Sequence, residues 1–406
     1  RRLAAAKSVM KARDAAALPA LQAALARESD PRVRLAFEQA RAAIVALRAE
    51  AGEAERLAAI EILRARADQE ARTALAAVSA AAQGLNQAAV KAAADSAIRN
   101  IDSRLVLWSH AQNVWYGVSL GSVLLLAAIG LAITFGVMGV INMAHGEMVM
   151  LGAYATFVVQ EWIRSYNPAL FDVSLFIALP VAFLVTAAIG VAIERSVIRF
   201  LYGRPLETLL ATWGVSLILQ QAVRTIFGPN NREVGAPSFM SGSFELGGLQ
   251  ITHGRMWIVA FTIVVFVALQ LVLRATPFGL RMRAVTQNRR MASSMGVDVN
   301  RVDAMAFGLG SGIAGIAGVA LSQIDNVSPN LGQSYIIDSF MVVVFGGVGN
   351  LWGTLVAALT LGVANKFLEP FVGAVLGKIA LLVFIILFIQ KRPRGMFALK
   401  GRAVEA

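Results

Sequence analysis

The segment Ile141-Asn142-Met143-Ala144-His145-Gly146-Glu147 separates two apolar runs, Gly117 to Val140 and Met148 to Val159. It places an amide, an imidazole and a carboxylate between two stretches that are suited to hydrocarbon. Polar and ionisable groups are costly at membrane depth, so where they occur they usually mark a pathway, a lining or a gate. The segment therefore predicts a helical membrane fold and its first candidate pathway residues, Asn142, His145 and Glu147.

The composition of the chain indicates the same class. Of the 406 residues, 57% are hydrophobic and 15% are charged, whereas soluble domains are nearer half apolar and a quarter charged. The apolar runs have the length of helices rather than the alternation of barrel strands. The chain has no cysteine, and its three histidines lack paired metal-ligand spacing. We therefore expect no catalytic residues and no metal site. A start at Arg1 rather than Met is expected of a processed or trimmed product.

Residues 1–105 form a separate region without any membrane-length apolar run. Apolar residues at three- and four-residue spacing predict successive helices, with a stop and restart at Ser29-Asp30-Pro31 and a cap at Asn86. The segment Pro31–Ile44 aligns without gaps with Ala88–Ile101. This self-similarity resembles a short run of HEAT-type repeats, with a long Ala-rich coiled coil as the alternative. The region has no aromatic interleaving and no binding motif, so we expect no nucleic-acid partner.

Residues 106–395 predict an all-α, polytopic membrane bundle. The candidate segments are 117–140, 144–160, 173–193, 207–227, 256–274, 303–322, 335–348, 352–368 and 374–390. Two of the connections are short enough for a re-entrant or broken helix, so we expect eight or nine passages.

Basic residues concentrate in the loops 194–206 and 275–302 and near the tail 396–406, which predicts that these parts face the cytoplasm. Residues 1–105 are then extracytoplasmic, and periplasmic in a bacterial inner membrane. The same orientation puts Asn142–Glu147 toward the cytoplasmic side. Its side chains could then line the pathway, or cap a helix and pack at an inner gate.

Two glycine-rich stretches have different interpretations. The run from Gly308 to Gly318 favours close helix packing. The run from Gly346 to Gly353, with Asn350 and Trp352, favours a bend or broken helix at a cavity. The second run provides further candidate pathway residues: Gly346, Gly347, Gly349 and Asn350.

The loop 275–302 predicts one amphipathic helix over residues 280–295. Pro277 and Gly279 end the preceding span, and Gly296 ends the amphipathic helix. A methionine face on it would consist of Met282, Met291 and Met295. The helix could lie on lipid headgroups or dock into a cytoplasmic partner, and its Met/Ala face favours docking.

The segment 142–147, the loop 275–302 and the segment 346–353 together resemble the permease subunits of branched-chain amino acid ABC transporters, over about residues 113–395. The resemblance implies that a coupling segment contacts an ATPase subunit through Ala284, Asn288, Met291, Ala292 and Gly296. It also implies a companion permease, two cytoplasmic ATPase subunits and a periplasmic solute-binding protein. ATP and Mg²⁺ would bind to the ATPases, because this chain has no Gly-x-x-x-x-Gly-Lys-[Ser/Thr] loop.

A helical domain in front of the shared spans resembles the permease of the urea ABC transporter, so urea is the expected substrate. The alternative is a branched-chain amino acid or a short amide. The lack of a buried ion-pair network argues against an ion-coupled carrier, and the docking loop argues against an autonomous channel. Gln220 and Gln221 could provide hydrogen bonds along the pathway or lie at the interface.

Overall fold

The computed structural model describes residues 2–84, 87–246 and 249–397, which are predominantly α-helical. Its contacts form two compact units. One comprises Arg1–Gln112 with Leu246–Leu249, and the other comprises Asn113–Glu245 with Gln250–Ala406. Both this division near residue 112 and the sequence-based boundary at residue 105 fall within one helix.

The first unit is built from short amphipathic helices. They are α1 (Arg2–Ala12), α2 (Leu18–Arg27), α3 (Pro31–Leu47), α4 (Glu53–Arg66), α5 (Gln69–Gly84) and the first part of α6 (Ala88–Met138). The predicted restart is present, because Asp30 accepts a hydrogen bond from the backbone N–H of Arg32 and Pro31 occupies the first turn. Helix α3 packs against α1, α2, α4 and α5. The predicted cap Asn86 lies outside the described residues.

Three pairs of aligned apolar positions in the two self-similar segments are buried. They are Val33, Ala40 and Ile44 on α3, and Val90, Ala97 and Ile101 on α6. All six belong to one apolar core that is confined to residues 6–101. The unit therefore has a core of its own, and the HEAT-type assignment of its helices stays a prediction.

The second unit contains the remaining helices and a two-stranded sheet. The helices are α7 (His145–Tyr166), α8 (Ser174–Ser196), α9 (Pro205–Phe227), α10 (His253–Ala275), α11 (Pro277–Gln287), α12 (Arg289–Ser294), α13 (Val299–Leu321), α14 (Leu331–Gly346) and α15 (Leu351–Lys391). The strands are β1 (Ser243–Leu246) and β2 (Leu249–Thr252). Helix α15 is interrupted at Gly373, where φ is 80° and ψ is 165°.

Five helical segments of the described chain are long and apolar enough to cross a membrane: Ala88–Met138, Pro168–Phe200, His253–Ala275, Val299–Leu321 and Leu351–Lys391. Helix α14 is apolar but shorter. The predicted segments 144–160 and 207–227 coincide with α7 and α9, which are outside these five. The predicted segments 352–368 and 374–390 lie on either side of the break in α15. The nine-span count stays a prediction.

Glycines allow helix backbones to touch at the centre of the second unit. Helix α13 packs against α7 and α8. A Cβ atom on Gly310 would lie 2.6 Å from the carbonyl oxygen of Gly130, and one on Gly318 would lie 2.0 Å from that of Val149. Any side chain at these positions would force the helices apart. These contacts agree with the packing interpretation of residues 308–318.

Candidate functional site

The segment Asn142–Glu147 leads from α6 into α7. Gly139 has φ of +68°, so the chain turns sharply after α6 ends. The side-chain oxygen of Asn142 accepts a hydrogen bond from the backbone N–H of Ala144 at 3.0 Å, which holds the turn before the helix. Nε2 of His145 donates to the carbonyl of Ala127 at 2.8 Å. Among the described residues, the buried Nδ1 atom of His145 has no hydrogen-bond partner.

The carboxylate of Glu147 is buried, and its two oxygens differ. Oε1 accepts hydrogen bonds from Oγ of Ser216 at 2.9 Å and from Nε2 of Gln220 at 2.7 Å. Oε2 is also buried but has no hydrogen-bond partner within the described part of the chain. Gln333 donates to Oε1 of Gln220 at 3.4 Å and so extends the network to α14. The described network therefore leaves one buried acceptor oxygen of Glu147 without a partner.

Helix α9 carries a polar stripe on its buried face. The stripe consists of Thr208, Thr212, Ser216 and Gln220, all buried. The opposite face is apolar and exposed, with Leu206, Leu210, Trp213, Leu217 and Ile218. A soluble helix has the reverse arrangement, whereas a membrane helix with an inward polar face typically lines a pathway or hydrogen-bonds to neighbouring helices. We call Glu147, Thr212, Ser216, Gln220 and Gln333 the polar seam.

The polar seam shows which part of α9 lies beside residues 142–147. Met143 donates its backbone N–H to Thr212, and Glu147 meets Ser216 and Gln220. These partners are about 12 to 24 Å along α9 from its basic end at Arg204. The segment thus lies beside the middle and far half of α9. The side of the membrane that this segment faces stays a prediction.

Two helix N-termini meet at the polar seam. A Cβ atom on Gly146 would lie 2.3 Å from the carbonyl oxygen of Gly332, and one on Gly332 would lie 2.9 Å from the backbone nitrogen of Glu147. The first turns of α7 and α14 are therefore in backbone contact. Helix N-termini present unpaired N–H groups and a partial positive charge, so their convergence favours an anionic group.

The second set of predicted pathway residues lies at the other end of α14. Helix α14 ends at Gly346. The next two glycines, Gly347 and Gly349, have φ of +105° and +80°. Asn350 then caps α15, because its side chain accepts hydrogen bonds from the N–H groups of Trp352 and Gly353. The bend predicted here is present. Since α14 spans 16 residues, this bend is about 24 Å from the polar seam. The structure does not bring the two predicted sets together.

The chain after α15 is held against this bend. The backbone N–H groups of Met396 and Phe397 donate to the carbonyls of Phe345 and Gly346 at 2.9 and 3.2 Å. The predicted tail 396–406 therefore starts as a packed segment. Its residues 398–406 lie outside the described chain.

The predicted single helix over residues 280–295 is wrong. It consists of α11 and α12, which are separated at Asn288, where φ is −154° and ψ is 101°. The side chain of Asn288 caps α12 by accepting from the N–H of Met291 at 3.0 Å. Pro277 and Gly279 belong to α11 rather than ending α10, because Thr276 caps α11 and Pro277 suits its first turn.

The methionine face is smaller than predicted. Met282 is 5% exposed and belongs to the main apolar core, whereas Met291 and Met295 are 60% and 80% exposed. Of the other predicted coupling residues, Ala292 is buried, Ala284 is half-buried, and Gly296 is exposed with φ of +84°. The exposed surface is therefore carried by α12 and the turn after it.

An ion pair fastens α12 to the core. Arg289, at the start of α12, bonds to both carboxylate oxygens of Asp303 on α13, which is fully buried. The guanidinium carbon of Arg289 also lies 4.6 Å from the ring centroid of Tyr202. Burial and the nearby charges of Asp303 and Glu194 raise the pKa of the Tyr202 hydroxyl, which therefore stays neutral. We call Arg289, Asp303 and Tyr202 the clamp.

Two ion pairs of the second unit each join a buried carboxylate to a partly exposed base, so the expectation of no buried ion-pair network stays a prediction. Besides the clamp, Lys378 on the second part of α15 lies 2.9 Å from Asp338 on α14, and Asp338 is 7% exposed. The two partners are 40 residues apart in an apolar context, so sequence spacing gives no signal for their pairing.

The geometry defines a polytopic helical membrane protein with a polar seam between packed helices. A family model described as "Branched-chain amino acid transport system / permease component" matches residues 113–390. The chain belongs to this family of permease components. The match begins where the second unit begins and leaves out the first unit.

Several named transport proteins are similar to part of this chain. The permease protein BraD of a high-affinity branched-chain amino acid transport system from Pseudomonas aeruginosa is 29% identical over 297 residues, covering 71% of this chain and 96% of BraD. The corresponding LivH protein of Salmonella typhimurium is 31% identical, covering 70% of this chain and 94% of LivH. The ribose import permease protein RbsC of Bacillus subtilis is 34% identical over 114 residues, covering 26% of this chain and 35% of RbsC. No solved structure matches the chain.

Proposed function

We propose that this chain is the membrane permease subunit of an ATP-driven importer and that its substrate is a branched-chain amino acid. Family membership supports the transport role, and the relatives named for branched-chain amino acid transport support the substrate class. The observation that carries the proposal is the unpaired oxygen of Glu147 beside the converging N-termini of α7 and α14.

An amino acid zwitterion matches these groups. Its ammonium would donate to Oε2 of Glu147, and its carboxylate would accept from first-turn N–H groups of α7 and α14. Broken membrane helices commonly present their N-termini to anionic substrate groups in this way. Arg224, one turn beyond Gln220 on α9, adds positive charge at the same end of the polar seam.

The substrate side chain would have an apolar surface nearby. Met150 and Tyr154 on α7, Val223 on α9 and Leu331 on α14 form a small buried cluster next to the polar seam. Met150 lies one turn after Glu147 on α7, and Leu331 is beside Gly332 at the start of α14. A branched aliphatic side chain would contact this cluster when the helices separate, which favours an amino acid over a purely polar substrate.

The assembly that we propose follows from the membrane class and the family. The chain would work in a bacterial inner membrane with a companion permease, two cytoplasmic ATPase subunits that bind ATP and Mg²⁺, and a periplasmic binding protein. The basic segment 275–302 and the tail would face the cytoplasm, and the first unit would face the periplasm. Exposed Met291 and Met295 would contact an ATPase.

Urea is the second candidate substrate. The observation that favours it is the first unit, which lies outside the family match. Urea is neutral and forms several hydrogen bonds, so Ser216, Gln220 and Glu147 could also accept and donate to it. Urea would make no use of the converging helix N-termini as an anion site, which is why we rank it second.

Uptake by the reconstituted transporter tests both substrates. Membranes or vesicles that contain the full chain with its partner subunits should accumulate labelled leucine, and unlabelled urea should not compete. Glu147→Gln keeps the shape of the side chain and removes its charge. Because hydrogen bonds to charged groups contribute about 1.5–3 kcal/mol, we expect leucine uptake at low concentration to fall by about 10- to 100-fold. Urea uptake without leucine uptake would overturn the amino acid assignment.

The chain provides a matched control for the polar seam. Gln220 is 3% exposed and bonds to Glu147, whereas its neighbour Gln221 is exposed on the other side of α9. Gln220→Leu should reduce leucine uptake, and Gln221→Leu should leave it unchanged. If both substitutions reduced leucine uptake equally, uptake would depend on the overall polarity of α9. The proposal that the polar seam binds the substrate would then be wrong.

A further inference from the structure

Two neighbouring cavities of the second unit lie outside the polar seam. The first has a volume of about 410 Å³ and lies between α6, the end of α10, α11 and the start of α15. The second has a volume of about 470 Å³ and is a groove between α6, α10 and α15. Both are lined by Gln270, Arg274 and Trp352. The two cavities therefore adjoin at these three residues, and we call them together the depression.

The groove is apolar along its length. Its walls include Val118, Leu125, Ile263, Val267, Leu271 and Leu359. Ile263, Val267 and Leu271 are 58%, 49% and 61% exposed, so the groove opens sideways from the helices. In a membrane protein this is a surface for a hydrocarbon chain.

The mouth of the depression is polar and positively charged. Arg274 and Arg283 line it together with Thr286, Gln287 and Asn350. No Asp or Glu occurs among the described residues that line either part. Arg283 also donates to the carbonyl of Leu273, which holds the start of α11 beside the end of α10. The mouth can therefore provide two cations and several hydrogen-bonding groups to one anion.

Trp352 marks the junction between the two parts. It is 52% exposed, and its ring meets that of Phe266 edge-on at a centroid distance of 5.3 Å. Tryptophan favours the level at which lipid headgroups meet acyl chains. The apolar groove, the aromatic junction and the basic mouth thus follow one another in the same order as the acyl chain, the interfacial region and the phosphate headgroup of a phospholipid.

We propose that this depression is a binding site for an anionic phospholipid, with an acyl chain in the groove and the phosphate between Arg274 and Arg283. Charge complementarity selects an anionic over a zwitterionic headgroup, because each basic residue near an anionic surface contributes about 1 kcal/mol. The site includes α11, the helix that precedes the exposed coupling surface. Occupation would hold α10, α11 and the start of α15 together at the bend around Gly349.

Lipid retention by the purified full chain tests this site. The protein is exchanged into nanodiscs of phosphatidylcholine with one tenth phosphatidylglycerol, and the lipids that stay bound after mild release are measured by native mass spectrometry. The wild type should retain phosphatidylglycerol above its bulk fraction. Arg274→Gln with Arg283→Gln should reduce this preference by roughly 30-fold. The matched control, Arg281→Gln with Arg290→Gln, removes two charges from the same segment outside the cavity and should retain it.

A second variant separates loss of the site from loss of the fold. Val267→Trp fills the groove from an exposed position and leaves both arginines in place, so it should also release the lipid while the unfolding temperature stays the same. Retention of phosphatidylglycerol by Val267→Trp would overturn the acyl-chain assignment. Equal retention of both lipids by the wild type, displacement of the lipid by millimolar inorganic phosphate, or cross-linking from position 267 to a companion permease would each overturn the proposal.

Discussion

Gly146 and Glu147 are neighbours in the sequence but meet different requirements. Glu147 contributes its carboxylate to the polar seam. Gly146 has no side chain, which allows the backbone of α7 to touch that of α14. A Cβ atom on Gly146 would lie 2.3 Å from a backbone oxygen, and backbone cannot yield as a flexible side chain can. This residue therefore provides a direct test of how tightly the two N-termini must meet.

We expect Gly146→Val to destabilise the protein by about 1–3 kcal/mol, because the helices must separate to admit the side chain. The control is Gly214→Ala on α9, where no atom lies within 4 Å of the added carbon. Alanine should be neutral there or stabilise by about 0.4–1 kcal/mol. Thermal unfolding in detergent measures both. A Gly146→Val protein that unfolds at the wild-type temperature would contradict the contact.

The sequence could identify some of these residues and not others. Asn142, His145 and Glu147 stand out because they interrupt an apolar run. Gln220 and Gln221 are adjacent and chemically identical, so composition cannot say which faces Glu147. The signal for Gln220 was the four-residue spacing from Thr208 through Thr212 and Ser216, which places all four on one face. An isolated helix gives no indication that the polar face is the buried one.

At the scale of elements, the division between α11 and α12 separates a packed helix from an exposed one. Helix α11 anchors Met282 in the core, and α12 presents Met291 outside. Asn288 accepts a hydrogen bond from the N–H of Met291, three residues later, and asparagine is a preferred N-cap residue. The sequence alone could therefore have predicted this break. The pairing of Arg289 with Asp303 could not be predicted from the sequence, because an arginine in a basic loop has many alternative partners.

The clamp is expected to transmit movement of α12 to α13. Arg289→Ala leaves the fully buried Asp303 without its partner, which should destabilise the protein by about 3–5 kcal/mol. Arg289→Lys keeps the charge but loses the paired bonds and the stacking on Tyr202, so it should fold normally. In the assembled transporter we expect Arg289→Lys to lower leucine uptake per ATP hydrolysed.

Uptake and ATP hydrolysis measured on the same vesicles check this expectation. Arg290→Lys is the control, since Arg290 is the exposed neighbour. A clamp with a purely structural role would lower uptake and hydrolysis in proportion, and their ratio would then stay at the wild-type value.

At the scale of the whole molecule, the two units have separate apolar cores. In the first unit, Oε1 of Glu28 accepts from the backbone N–H groups of Asp30 and Ser29, and its carboxylate pairs with Arg2. The Asp30 hydrogen bond, followed by Arg2, lowers the pKa of Glu28 below its usual 4.5. The folded state therefore gains stability above pH 4.5 and loses it as the pH falls through the lowered pKa.

Glu28→Gln should remove this part of the acid sensitivity. Hydrogen exchange of peptides from residues 2–47, corrected for intrinsic rates, should show protection that falls less steeply below pH 4.5 than in the wild type. Peptides from α13 should behave alike in both proteins, because they belong to the other unit. A wild-type pH profile in the Glu28→Gln protein would show that Glu28 contributes nothing.

The two units favour different substrates. The helical region at the start of the chain led to urea, whereas the family and the helix N-termini at Gly146 and Gly332 favour an amino acid. Sequence periodicity predicts helices in both units, but α7 and α14 are each preceded by irregular backbone, residues 139–144 and 322–330. Such irregular backbone has no periodic signal.

The polar stripe of α9 also bears on how the protein is made. A nascent helix that leaves the insertion machinery alone would expose Thr212, Ser216 and Gln220 to lipid tails, where unpaired polar groups are costly. Its partner Glu147 is already synthesised at that moment, but Gln333 and α14 are still more than 100 residues away along the chain. We therefore expect α9 to leave the translocon together with α7, as a pair whose polar groups satisfy each other until the later helices arrive.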